Sequence, residues 1–147
     1  VIMNKKQKSL TNKGFSLVEL IIVIAIMAVL IGVLAPQYLK YVERSRESSD
    51  LTNYQEIMSA LQVYASDVQA TTPLGSGTVV CTKGAASSAT GAGVQAALTS
   101  SSITITNVKM KSSKYGTATI TITDNSGVPV FTTDNSDLAT ELGIGTP

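Results

Sequence analysis

The chain has 147 residues, of which 44% are hydrophobic, and it contains no histidine, no tryptophan and one cysteine, Cys81. These counts exclude a histidine-containing metal site, a Ser/His or Cys/His catalytic pair and an intramolecular disulfide. The formal net charge is +1. Positions 1–14 contain four lysines and no acidic residue, whereas the remainder contains seven basic and ten acidic residues. The remainder therefore offers no basic surface for nucleic acid.

A nearly uninterrupted apolar segment follows these lysines. Over the 21 residues from Phe15 to Ala35, only Ser16 and Glu19 are polar. As a helix this segment would measure about 31 Å, which is enough to cross the hydrocarbon core of a bilayer. Because the lysines precede it, the N-terminus is predicted to stay in the cytoplasm and the bulk of the chain to lie on the other side.

A cleaved secretory signal is the alternative interpretation of the apolar segment. Val33 and Ala35 weakly fit the small residues of a cleavage site. Pro36 would then follow the cut, where proline is poorly tolerated, and Glu19 would lie inside the apolar region. Both features argue against removal of the segment.

Glu19 is the residue that a simple anchor does not explain, because an ionised carboxylate within a membrane helix costs about 2.5 kcal/mol or more without a partner. A cut between Gly14 and Phe15 would create an α-amino group four residues before it. The carboxylate could pair with that cation, in its own chain or in a neighbouring one. Such a cut would remove the lysines and keep the helix.

Residues 13–20 read Lys-Gly-Phe-Ser-Leu-Val-Glu-Leu, and with the apolar helix they resemble the class III signal of type IV prepilins and the related pseudopilins. In that family a membrane aspartyl peptidase cuts after the glycine and methylates the new N-terminal residue. The resemblance implies Gly14 as the last leader residue, Phe15 as the methylated N-terminus and Glu19 as the assembly glutamate. It covers roughly residues 13–68, and Pro36 lies where the family has a helix-kinking proline.

Gly32 and Pro36 are the weak helix formers of the apolar segment. Pro36 removes a backbone donor and clashes with the preceding turn, so a kink is expected in the membrane. In a tightly packed filament, local unwinding is expected between about Gly32 and Tyr38.

After Pro36 the sequence becomes amphipathic, and one helix is predicted from Phe15 to about Ser66. Its apolar face, which needs a sheet as partner, is formed by Tyr54, Ile57, Met58, Leu61, Tyr64, Ala65 and Val68. Between the two halves lies a mixed-charge collar of Lys40, Glu43, Arg44, Arg46, Glu47 and Asp50. Arg46 and Asp50 have the i,i+4 spacing of an ion pair. The collar is interpreted as a solvated helix face, with intersubunit salt bridges as the alternative.

The Thr-, Ser- and Gly-rich C-terminal part predicts a small β domain after a connection that ends near residue 93. The predicted elements are a helical turn at 94–98, strands at about 103–108, 117–123 and 128–133, and a helix at 136–142. The fold class is therefore α+β, with a long helix packed on an antiparallel sheet of about three strands. The expected domains are a leader at 1–14, an apolar helix at 15–36, an amphipathic helix at 37–70 and a β domain at 71–147.

Cys81 is interpreted as a small, semi-buried residue, with an intermolecular disulfide or a reactive thiol as alternatives. It has no partner for the C-terminal disulfide of many family members. A calcium loop of the kind some pseudopilins carry is the alternative interpretation of five residues: Asp124, Asn125, Asp134, Asn135 and Asp137. Turn chemistry explains most of them, so neither a metal nor a cofactor is expected.

A structural function is expected, and not catalysis, because Glu19 lies in the apolar segment and no other polar cluster offers an acid–base pair. The resemblance implies a type IV pilin that is stored in the cytoplasmic membrane and polymerised into an extracellular filament. Its partners would be copies of itself, the prepilin peptidase, the assembly platform with its ATPase, and membrane lipid. The alternatives are a pseudopilin of a secretion or DNA-uptake machine, and a single-pass signal-anchored binding module.

Overall fold

The computed structural model describes residues 14–147. Its elements are helix α1 (Leu17–Ala65), strands β1 (Gly77–Cys81) and β2 (Ser88–Thr90), helix α2 (Ala92–Ser100), a 3-10 turn (Ile105–Asn107), strands β3 (Ala118–Asn125) and β4 (Val128–Thr133), and helix α3 (Ser136–Leu142). The chain divides into two units, of which the first ends at Leu39 and the second runs from Lys40 to Pro147. Except for Gly14, the predicted leader lies outside the described residues.

The first unit contains the apolar part of α1. Every described residue from Gly14 to Leu39 is exposed. The helix assignment continues through Gly32 and Pro36 without a break. The predicted kink or unwinding at these two residues concerns the membrane and the filament, so it stays a prediction.

The second unit is built around a four-stranded antiparallel sheet in the order β2-β1-β3-β4. Alternate residues of the two central strands, such as Val79, Ile120 and Ile122, are fully or almost fully buried. They share one hydrophobic core with Tyr54 and Leu61 of helix α1. This arrangement confirms the α+β class and the predicted pairing of an amphipathic helix with a sheet.

The sheet has four strands, where about three were predicted. Strands β1 and β2 lie in the segment that was predicted to be a connection, and the helical turn at 94–98 is a longer helix, α2. Gly77 lets β1 approach the start of α2 closely, because a Cβ at this position would overlap the Thr90 carbonyl and the Val94 side chain.

The strand predicted around 103–108 is wrong. This segment is a loop with a 3-10 turn, in which Ile103, Ile105 and Val108 are partly buried and pack singly against the core. The N–H groups of Asn107 and Val108 donate to the carbonyls of Thr104 and Ile105, so the turn interrupts the extended run and uses backbone groups that a strand would pair. Apolar residues therefore alternate along this segment, although it does not form a strand of the sheet.

The predicted strand at 128–133 and helix at 136–142 are confirmed, and local turn and cap contacts set their ends. Ser126 and Gly127 join β3 to β4 with positive φ values of 56° and 86°, as the twist of a two-residue hairpin loop requires. The Asp124 carboxylate accepts the Gly127 N–H at 2.8 Å. Helix α3 begins after Asn135, whose side-chain oxygen accepts the Leu138 N–H, and ends at Gly143 in the left-handed conformation.

Candidate functional site

The predicted cleavage site lies immediately before helix α1. Gly14, Phe15 and Ser16 are non-helical, and the Leu20 N–H donates to the Ser16 carbonyl at 3.2 Å as the helix starts. Phe15 is 84% exposed, and no atom lies within 4 Å of the place that a Cβ at Gly14 would occupy. The peptide bond between Gly14 and Phe15 is therefore open to an extended-chain peptidase site.

Glu19 lies in the first turn of α1, where the helix dipole favours a carboxylate. Its side chain is exposed, and it forms no ion pair within residues 14–147. In the uncleaved chain the Phe15 nitrogen is an amide, so the predicted cation does not yet exist. Phe15 and Glu19 lie at the same helix start in the structure. An ion pair between them requires cleavage after Gly14, which would create the α-amino group of Phe15.

The apolar part of α1 presents its side chains without internal partners. Between Leu17 and Leu39 its large apolar side chains are 43% to 73% exposed. By length and composition, α1 could cross a membrane. An apolar surface of this extent is typical of a segment that is covered by lipid or by other chains.

Two of the collar carboxylates bind backbone N–H groups far along the chain, which the helical spacing did not predict. Asp50 is fully buried, and its carboxylate accepts the N–H groups of Lys111, at 2.9 and 3.0 Å, and of Ser112, at 2.7 Å. The predicted Arg46–Asp50 pair does not form, because Asp50 faces the core; Arg46 lies 3.6 Å from Glu43 instead. Part of the collar is therefore an internal docking surface and not a solvated face.

Two further side chains of the same helix stripe hold the segment Lys111–Tyr115, here called the anchor segment. Glu43 accepts the N–H of Ser113, and this bond holds the pKa of the Glu43 carboxyl below its usual range. The buried Tyr54 hydroxyl donates to the Tyr115 carbonyl at 2.9 Å, and burial raises the pKa of this tyrosine. Asp50 lies one helical turn before Tyr54, so it continues the apolar stripe of α1. This position was the signal in the sequence that Asp50 faces the core.

The remaining candidates have structural roles. Cys81 is fully buried and free, and burial raises the pKa of its thiol, which disfavours the reactive thiolate. Of the calcium candidates, Asp124 closes the β3–β4 turn, Asp134 accepts the Thr119 N–H at 2.7 Å and Asn135 caps α3. Within residues 14–147, no group of three or more His, Cys, Asp or Glu residues is arranged to hold a metal ion.

Comparison with known proteins identifies relatives of the N-terminal part. A family model described as the prokaryotic N-terminal methylation motif matches residues 10–35. The type IV major pilin protein PilA of Myxococcus xanthus is 36% identical over 56 residues, which are 38% of this chain and 26% of that protein. The type IV major fimbrial protein FimA of Dichelobacter nodosus is 36% identical over 56 residues, 36% of its length. The matches thus span about a quarter to a third of these relatives, and no solved structure matches the chain.

Proposed function

We propose that this chain, whose N-terminal segment is that of a type IV pilin, is a structural subunit of a type IV pilus. The family predicted from residues 13–20 is confirmed by the methylation-motif match and by the relatives that are named as major pilins. One observation carries the proposal: the matched motif contains the start of a helix whose apolar side chains are exposed from Leu17 to Leu39. Such a helix can be covered first by lipid and then by other subunits.

The proposed maturation begins with a cut between Gly14 and Phe15 by a prepilin peptidase, followed by methylation of the Phe15 amine. The cut removes the lysines of the leader and leaves the apolar helix in the cytoplasmic membrane. Assembly by the platform and its ATPase then transfers the helix into a filament outside the cell. Packing of apolar side chains between neighbouring helices offsets the loss of the lipid environment.

The proposal is tested on protein sheared from cells. We expect long filaments, and an N-terminal tryptic peptide that spans residues 15–40 and carries one additional methyl group. A peptide that still contains residues before Phe15 would identify a simple signal anchor. A processed and methylated chain without long filaments would favour a pseudopilin.

Replacing Gly14 with a bulky residue such as leucine is expected to block maturation. A peptidase that cuts directly before a membrane helix must bring its active site close to the backbone at this position, and a side chain would stand in the way. Unprocessed precursor should accumulate in the membrane fraction, as measured by its mass. Asn12→Leu, a change two residues earlier in the leader, serves as the control. Normal cutting of the Gly14 variant would show that the site is placed wrongly.

In the assembled filament, α1 is expected to lose helical hydrogen bonds between about Gly32 and Tyr38. Pro36 cannot donate a backbone hydrogen bond, and Gly32 is a weak helix former, so this part of the helix is the least costly to unwind when helices crowd together. A filament reconstruction at side-chain resolution measures this directly. A fully hydrogen-bonded helix through these residues would contradict the expectation.

A further inference from the structure

Two of the three collar carboxylates of α1 face the anchor segment, and two of its three exposed cations form no ion pair within residues 14–147. Glu43 and Asp50 are occupied by the anchor segment. Lys40 and Arg44 lie one helical turn apart, are exposed, and form no ion pair within residues 14–147. The second unit thus begins with a pair of free positive charges on one side of the helix.

A groove of about 190 Å³ lies beyond the C-terminal end of the same helix. Its apolar lining includes Tyr64, Ala65, Ala70, Pro73, Leu74 and Pro129. Two exposed carboxylates, Asp67 and Asp124, also line it, and no lysine or arginine does. Each carboxylate uses one oxygen for a turn, to the N–H of Gln69 at 2.9 Å and of Gly127 at 2.8 Å. The other oxygen of each has no hydrogen-bond partner in the part of the chain that the structure describes.

We propose that this groove receives Lys40 and Arg44 of a second copy of the chain, an inference that rests on the proposed function. The charges are complementary, and an apolar lining suits the methylene stems of lysine and arginine. The two surfaces cannot meet within one chain, because Arg44 lies about 32 Å before the helix end at Ala65. A contact between different surfaces of identical subunits is head-to-tail, and it extends into an open filament when the rotation between copies does not close a ring. The expected axial offset between the paired copies is therefore roughly 32 Å.

Charge reversal tests this pairing in cells. Arg44→Glu and Asp67→Arg should each reduce sheared filaments roughly tenfold or more, because like charges then face each other at every contact. The double variant restores the attraction and should recover most filaments. Lys109→Glu and Glu141→Arg make the same charge changes at exposed residues elsewhere and should leave filament number near normal. Equal effects of the control variants, or no recovery in the double variant, would overturn the pairing.

A second measurement needs no substitution. A zero-length carbodiimide couples a lysine amine to a carboxylate with which it is in contact. Filaments of the unmodified chain should yield a cross-linked peptide that joins Lys40 to Asp67 or Asp124, and only another copy can supply it. Filaments in which Lys40 links to neither carboxylate would refute the inference and leave the proposed function intact. Absence of filaments from the unmodified chain would refute both.

Discussion

Replacing Glu19 with valine is expected to abolish filaments while the chain is still processed and retained in the membrane. Within a filament core, the carboxylate would be surrounded by Ile, Leu and Val side chains, and the Phe15 amine would be its partner. Removing one member of a buried charge pair leaves the other uncompensated at a cost of about 3–5 kcal/mol, so filaments should fall by roughly 100-fold or more. Membrane residence should become easier, because the substitution removes a charge from the apolar helix.

The measurement compares processed protein in the membrane fraction with filaments sheared from the same cells. Ser16→Ala changes a polar residue at the same helix start and should preserve assembly. Filaments of normal number and length from Glu19→Val cells would contradict the pairing. Loss of processing would instead assign Glu19 to recognition by the peptidase.

Helix α1 was predicted from the sequence because its two signals are local. An apolar run of membrane length and a recurring apolar face are both recognised from consecutive residues, and the observed bounds, Leu17–Ala65, lie within two residues of the predicted helix at 15–66. The amphipathic part was also predicted to reach residue 70, which is wrong, because Val68 lies after the helix end and is 99% exposed. Strands β3 and β4 were predicted for a similar reason. Threonine alternates with isoleucine in β3, and Val128 and Val130 lie two residues apart in β4 after a turn sequence.

Strands β1 and β2 were missed because they offer little alternation to recognise. Only Val79 and Cys81 of β1 are fully buried, and β2 has three residues, of which Ala89 alone is partly buried. Small residues such as Gly77 are typical of loops in sequence terms, yet here they allow close packing. These strands are determined by their pairing partners, Thr119 and Ile120 among them, and not by their own composition.

The collar prediction is wrong at Glu43 and Asp50 because their partner lies far along the chain. Lys111 is 61 residues from Asp50, so helical spacing suggested Arg46, the nearest cation, as the partner. Spacing shows which residues of one helix are neighbours, but it carries no information on the segment that will cover them. The maturation residues remain a prediction of the opposite kind, since Gly14, Phe15 and Glu19 lie in one motif of eight residues and were assigned without tertiary information.

Replacing Asp50 with alanine is expected to destabilise the second unit by about 3–5 kcal/mol, because the variant leaves the N–H groups of Lys111 and Ser112 without their acceptor. Ser112 is fully buried, so water cannot easily replace the carboxylate. Thermal unfolding of the full chain in detergent micelles should show a transition that is lower by roughly 10 °C or more. Amide hydrogen exchange should show early loss of protection at these two residues.

Arg46→Ala is the matched control, since it removes the exposed ion pair with Glu43 on the same helix and should cost no more than about 1 kcal/mol. Asp50→Asn retains one oxygen acceptor but turns an amide donor toward other donors, so its loss should lie between the two. If the collar were a solvated face, all three substitutions would have similar small effects on stability. A loss that decreases from Asp50→Ala through Asp50→Asn to Arg46→Ala therefore indicates that Asp50 is an internal contact. Because the anchor segment contacts α1 at Glu43, between Lys40 and Arg44, its release in Asp50→Ala should leave the Glu43 carboxylate free to pair with these cations. Filament yield should then fall at temperatures where the unit still folds.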